Sequence, residues 1–481
     1  MLTYSFSEIG SMSLYEYLYQ CIKNDIVSGA LAPGDRLPSK RSFSRHLNVS
    51  AITVENAYGQ LLAEGYIYSI PKKGYYAADI SAGIPRPALP ASPPPKPVEN
   101  PKEESCFADF TSSQTHPDTF PFSIWAKVMR EVIGDDRFAL MKHSPSGGIF
   151  PLRQAIARHL KDFRGMTVHP EQIIVGAGTE YLYGILIQLL GFQNIYGVED
   201  PGYQKISSIY KSHHVKCRHI PMDRQGIHMG RLQESGADIV HISPSHHFPT
   251  GIVTPISRRY ELLAWAAETE RRYIIEDDYD CEFRFMGKPI PSLQSIDVME
   301  KVIYMNTFTK TLSSTIRISY MALPAHLMER FHQTMGFYSC TVSNFEQYAL
   351  TRFLQDGHFE RHINRMRNFY HNQRDLLLDC LKSSPLSSRI TITEKDAGLH
   401  FLMYVDTSVP DEIIVQNAET KGLRIASLSR FHTQEPALGN HTFIMNYSAI
   451  PPEHMKEAIA RLCQVFAEAE ASLAITAPAH E

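Results

Sequence analysis

Asn306-Thr307-Phe308-Thr309-Lys310-Thr311-Leu312-Ser313-Ser314-Thr315-Ile316-Arg317 is the stretch on which the reading of this chain turns. It continues from the apolar run KVIYMN (301–306), which has the composition of a strand buried on both faces. A lysine just past such a strand, ringed by hydroxyls and followed seven residues later by an arginine, suits a phosphorylated aldehyde. The Lys310 amine forms a Schiff base with the aldehyde. Thr307 and Thr309 donate hydrogen bonds to the phosphate, and Arg317 pairs with it bidentately.

Other segments add to this site. Tyr273-Ile274-Ile275-Glu276-Asp277-Asp278-Tyr279 reads as a buried strand ending in acid and phenol. Strand alternation puts Asp277 and Tyr279 on one face, so Asp277 rather than Asp278 is the partner expected for a pyridinium nitrogen. The Tyr279 phenol is placed to hydrogen-bond the ring oxygen. In Val175-Gly176-Ala177-Gly178-Thr179-Glu180 a strand runs into a helix; Gly178 permits close approach, and the helix start at Thr179 favours a phosphate. Tyr203, in Glu199-Asp200-Pro201-Gly202-Tyr203, can stack on a planar ring. Ser243-Pro244-Ser245-His246-His247-Phe248-Pro249-Thr250-Gly251 completes the set, and its two histidines lack a third ligand at metal spacing. Runs such as ADIVHISP (237–244) alternate with helical patterns, as in a parallel sheet, which binds ligands at the carboxyl ends of its strands.

Upstream lies ISAGIPRPALPASPPPKPVENPKEES (80–105), with eight prolines between Pro85 and Pro101. Proline disfavours helix and tends to an extended spacer, so this segment reads as an interdomain linker. It separates a small N-terminal domain, 11–79, from a large one, 106–481. In the small domain a helix is expected over 13–28, with Leu14, Leu18, Cys21, Ile22 and Ile26 on one face and Gly29 as its stop. Ser39 caps a second helix and Ser50 a third, whose apolar stripe is Ile52, Val54, Ala57, Tyr58, Leu61 and Leu62. YIYSIPKKGYYAA then reads as two short strands about a Pro-Lys-Lys-Gly turn. Three helices and a hairpin make a winged helix-turn-helix, whose third helix enters the major groove of double-stranded DNA. Residues 36–73 carry six basic side chains, among them Arg41, Lys72 and Lys73, against two acidic ones.

The whole chain gives no such bias. Its 481 residues carry a net charge of -4, with 43% hydrophobic and 20% charged residues, which is globular composition. Seven scattered cysteines without metal spacing, no leader-like N-terminus and no apolar stretch of about 18 residues lead us to expect a cytoplasmic protein with no membrane span.

Gly34-Asp35-Arg36-Leu37-Pro38-Ser39-Lys40-Arg41, Val49-Ser50, Thr53-Val54, Ala57-Tyr58, Leu61, Glu64-Gly65 and Lys73-Gly74 together resemble the GntR superfamily of regulators. The resemblance implies DNA contacts from Arg41, Ser50, Thr53 and Gly74. Ala51 stands where the family usually has arginine. The five large-domain motifs, in this order, resemble fold-type I aminotransferases. With the N-terminal module, the whole chain resembles the MocR family, the aminotransferase-containing branch of GntR regulators. The implied fold is α/β: a winged helix joined to large and small domains of an aminotransferase-like protein that binds pyridoxal 5'-phosphate. Lys310, Asp277, Tyr279, Tyr203, Gly178, Thr179, Thr307, Thr309 and Arg317 are the cofactor residues so implied. Phe248 replaces the asparagine of true aminotransferases, and Phe443 to Ser448 lacks their carboxylate-binding arginine. Arg430 is the best substitute, unless it is a surface arginine, and Lys205 is a weaker candidate for an effector contact. The implied function is a homodimeric regulator that senses pyridoxal phosphate or an amino compound through an aldimine at Lys310. The alternative is a working aminotransferase with an accessory DNA-binding domain.

Overall fold

The computed structural model describes residues 2–6, 9, 12–80, 106–112, 114–135, 137–285, 290–433 and 440–476. The proline-rich segment, from 81 to 105, lies outside the described residues. The chain divides into two compact units, Met1–Lys102 and Glu103–Glu481.

In the first unit the helices are Leu14–Ser28, Lys40–Leu47 and Ala51–Ala63, followed by the antiparallel strands Ile67–Ile70 and Gly74–Ala77. Local chemistry sets their ends. The Glu16 carboxylate accepts from the Ser13 amide at 3.0 Å, and Ser39 and Ser50 accept from the Ser42 and Thr53 amides. Gly29 and Asn48 close the first two helices in the left-handed region, at φ 85° and 54°. Leu18, Ile22, Ile26, Phe43, Val54, Tyr58 and Leu61 form one core. Three positions expected in the apolar stripes are exposed instead: Leu14, Ile52 and Leu62. The helical period places Val54, Ala57, Tyr58 and Leu61 inward, leaves Leu62 on the flank of that stripe and turns Ile52 to the opposite, outward side.

The second unit is built on an eight-stranded sheet. Across it the strands run Ile173–Gly176, Ser319–Ala322, Val302–Thr307, Tyr273–Asp277, Ile239–Ile242, Ile195–Asp200, Lys216–Asp223 and Gly226–Ile227. The pairings from Val302–Thr307 through Lys216–Asp223 are parallel; Ser319–Ala322 is antiparallel to both neighbours. Successive residues feed opposite cores. Tyr304 belongs to the core that includes Leu152 and Phe353, while Ile303 and Met305 belong to the one that includes Leu186 and Phe331. Burial on both faces explains the near-continuous apolar runs of these strands. A smaller antiparallel sheet, ordered Ile390–Thr393, His400–Val405, Thr442–Asn446 and Ala426–Ser427, packs under the helices His358–Lys382 and Met455–Thr476. The segment Ala108–Asp109 pairs with Leu423–Arg424 and seats Phe110 in this same core.

The carboxyl ends of the parallel strands converge: Glu199, Ser243, Asp277 and Thr307 end or follow four of them and line one cavity.

Candidate functional site

That cavity has a volume of about 800 Å³. Of the residues expected from sequence, it brings together Lys310, Asp277, Tyr279, Tyr203, Gly178, Thr179, Thr307, Thr309, Arg317 and Lys205. Arg430 is not among the residues lining it. Its side chain is exposed, its main-chain carbonyl accepts from Gln204 at 2.7 Å, and the neighbouring Phe431 lines the wall instead.

Lys310 sits in the turn after the strand Val302–Thr307. Burial lowers its pKa, opposed in part by Asp280, which favours the uncharged amine a nucleophile needs. Thr307 at the strand end accepts from the Ser319 hydroxyl at 2.8 Å and lies 2.9 Å from the Thr309 hydroxyl.

Asp277 and Asp278 are adjacent in sequence but part company. Asp278 turns away from the cavity and is buried against Arg164 at 2.8 Å, with the Tyr304 hydroxyl donating to it at 2.7 Å. Asp277 lines the cavity. Its Oδ2 accepts from the Tyr183 hydroxyl at 2.6 Å, with His241 Nε2 at 3.5 Å; its Oδ1 is buried without a hydrogen-bond partner. Tyr210 holds the far side of the His241 ring at 2.7 Å. Tyr183, His241 and Tyr210 were not anticipated from sequence. One signal was present for Tyr183: it lies four residues after Thr179, on the same helix face.

Gly178 precedes the helix Thr179–Leu190 at φ 94°, and a Cβ there would stand 2.5 Å from Arg317 Nη2. Glycine thus lets the guanidinium lie against the backbone at the helix start, a ready anion cradle. Glu180 holds Arg317 at 2.7 Å and also pairs with Lys205. Tyr203 is half exposed on the wall and meets Phe248 edge-on, with ring centres 5.8 Å apart. Phe248 in turn packs on His400 and Phe431. The Tyr279 hydroxyl lies 3.4 Å from His246 Nδ1, and burial raises its pKa well above the usual phenol value.

Beneath Phe248, His247 Nε2 stands 3.4 Å from Glu199. Burial pushes Glu199 up to about 8 and His247 down to about 3, so this contact is between neutral groups. Among the described residues no group of three or more His, Cys, Asp or Glu could hold a metal ion, and no helix is long and apolar enough to cross a membrane.

On the first unit, Arg41, Lys72 and Lys73 are exposed. The Ser50 and Thr53 hydroxyls lie 2.8 Å apart at the start of the third helix. Gly74 takes φ 118° at the start of the second hairpin strand, where a Cβ would lie 3.6 Å from Arg36 Nε.

Residues 14–76 match the family described as bacterial regulatory proteins, gntR family. Over 93% of its length the chain is 35% identical to an uncharacterized HTH-type transcriptional regulator, YdeL, of Bacillus subtilis, covering 96% of that protein. Over 96% of its length it is 30% identical to the probable rhizopine catabolism regulatory protein MocR of Rhizobium meliloti, covering 95% of it. Among solved structures it is similar to the multiple substrate aminotransferase of Thermococcus profundus, with TM-score 0.67 and 23% identity, over 77% of this chain and 93% of that one. That likeness shows the aminotransferase fold of the second unit, and the relatives show a DNA-binding regulator of transcription. The chain therefore belongs to the MocR family, GntR-type transcription regulators whose second domain has the aminotransferase fold.

Proposed function

We propose that this regulator holds pyridoxal 5'-phosphate in the Lys310 cavity and responds there to the cofactor itself or to an amino compound, changing its hold on operator DNA. The observation that carries the reading is Asp277 Oδ1, a buried acceptor with no partner at the edge of a cavity that also holds a lysine. A buried acceptor left unmade costs about 1–3 kcal/mol, and a protonated pyridine nitrogen is the donor that fits it. The anion cradle of Gly178, Thr179 and Arg317 fits the phosphate of the same molecule. Bound there, the cofactor supplies an aldehyde that condenses with primary amines and a ring that withdraws electrons from the carbon attached.

The chain's own residues divide the remaining work. Tyr183 and His241 hold Asp277 Oδ2 and leave Oδ1 as the carboxylate oxygen without a partner. Lys310 presents a desolvated amine. Tyr203 and Phe248 wall the ring. Phe248 offers no hydrogen bond to a ring oxygen, which favours sensing over repeated turnover. Lys205, on the cavity wall, is the candidate contact for an anionic group of the effector. An effector moves the regulator only by its difference in affinity for two conformations.

A homodimer is part of the proposal. Phe138, Met141 and Phe337 are 88%, 81% and 79% exposed, the kind of apolar surface a second copy covers. So is a cytoplasmic location, where a bacterial regulator meets its DNA.

The test is a visible-absorption titration of the cofactor-free protein with pyridoxal phosphate, then of the loaded protein with candidate amines. The proposal predicts saturable cofactor binding and a spectral change with a limited set of amines. Sustained turnover of an amino donor and a keto acid at on the order of 1–1000 per second refutes it.

A further inference from the structure

We infer that the DNA-reading helix Ala51–Ala63 recognises A·T base pairs through thymine methyl groups, with Ile52 and Ala51 making the contact. The inward side of this helix is Val54, Ala57, Tyr58 and Leu61, all fully buried. The outward side is Ala51, Ile52, Glu55, Asn56, Gly59 and Gln60, all exposed. This outward side is the one available to a groove.

Its chemistry is selective. The helix contains no lysine, arginine or histidine. The commonest way to read guanine, an arginine or lysine on its O6 and N7 atoms, is therefore missing from the element that enters the groove. Glu55 is held by Lys40 at 2.7 Å, which offsets a carboxylate that would otherwise repel the phosphates. Ile52 is 68% exposed, in the first turn, two residues after the Ser50 cap. The first turn of a reading helix is the part that reaches base edges. In the major groove thymine alone among the four bases presents a methyl group, and aliphatic side chains are its partners. A single aliphatic in water is ordinary on a protein surface. In the first turn of the reading helix it has a use, and the exposed alanine beside it adds a second apolar contact. Asn56, one turn further on the same side, suits adenine by its amide pair. Exposed Arg41, Lys72 and Lys73 on neighbouring elements supply the phosphate contacts that set register without reading sequence.

The assignment rests on the DNA-binding function of the module, and its test separates the two. The full-length protein selects duplexes from a randomised pool. Each thymine of the selected duplex is then replaced, one at a time, by deoxyuridine, which removes the methyl and nothing else. The expected result is a selected half-site rich in A·T pairs, with one or two thymines whose replacement weakens wild-type binding about fourfold, the worth of one buried methyl. Ile52→Ala, a change at an exposed position that leaves the core intact, is expected to be insensitive at that thymine. Ala51→Arg is expected to shift the selected half-site toward guanine. The assignment is overturned if wild type binds every deoxyuridine duplex as tightly as its parent, if Ile52→Ala keeps the wild-type sensitivity, or if Ala51→Arg selects the same half-site. A protein that enriches no duplex overturns the DNA-binding function beneath it.

Discussion

Asp277 and Asp278 are neighbours with opposite jobs, and exchanging each for asparagine separates them. Asp278 is 1% exposed and Arg164 2% exposed, with their charges 2.8 Å apart. Burial alone would lower the pKa of Arg164, but the surrounding anions, Asp278 foremost, hold it above the ordinary value. Asp278→Asn keeps the shape and leaves Arg164 buried without its counter-charge. Removing one partner of such a pair costs about 3–5 kcal/mol. For a unit of this size that is a fall in Tm of roughly 4–6 °C. Asp277→Asn is different. Its Oδ1 has no partner to lose, and a carbonyl still accepts from Tyr183, so the cofactor-free protein should melt within about 1 kcal/mol of wild type. Its cost appears only on loading. Losing a charge-assisted hydrogen bond of about 1.5–3 kcal/mol weakens pyridoxal phosphate binding roughly 10- to 150-fold. Thermal melts of cofactor-free protein and equilibrium cofactor titrations measure the two effects separately. If Asp278→Asn weakens cofactor binding without lowering Tm, or Asp277→Asn does the reverse, the two assignments are wrong.

Lys310→Ala is expected to lose the absorption of bound cofactor on dialysis while DNA binding persists; a variant that keeps the spectrum shows that another lysine holds it. Gly178→Ala places a Cβ 2.5 Å from Arg317 Nη2 at a backbone φ of 94°, so cofactor affinity should fall about tenfold or more in the same titration. Burial pushes Glu199 up to about 8 from 4.5. Between those values the folded protein keeps a proton that the unfolded chain has released, so wild-type stability falls as pH rises through the window. Glu199→Gln removes that slope: its Tm should gain on wild type from pH 4.5 to about 8 and level off above, and parallel curves would show that Glu199 is ionised in the fold.

Much of the site was legible because its chemistry is local. Lys310 and Arg317 share the short connection between the strands Val302–Thr307 and Ser319–Ala322, Gly178 and Thr179 sit at one strand-to-helix junction, and strand parity separated Asp277 from Asp278. What stayed hidden depends on packing between distant segments. Tyr183 reaches Asp277 from 94 residues away in sequence, and in an apolar helix it reads as core. His241 is likewise a single polar residue within a buried strand. For Arg430 the sequence left a surface position open: in the short helix Leu428–Phe431 its side chain is exposed, while Phe431 lines the cavity. Leu62 shows that periodicity gives a stripe but not its edges, and Ile52, on the opposite side of the helix, that an apolar residue is not by itself a core residue.

The central claim is that chemistry at Lys310 governs the grip on DNA. It is tested most directly by measuring the affinity of the full-length protein for its selected duplex while pyridoxal phosphate, then amines, are titrated in, with Lys310→Ala in parallel. The account predicts a wild-type affinity that shifts about 5- to 150-fold as the site fills, the usual range of coupling between sites, and a flat response from Lys310→Ala. A wild-type affinity that does not change, or one that changes equally in Lys310→Ala, contradicts it.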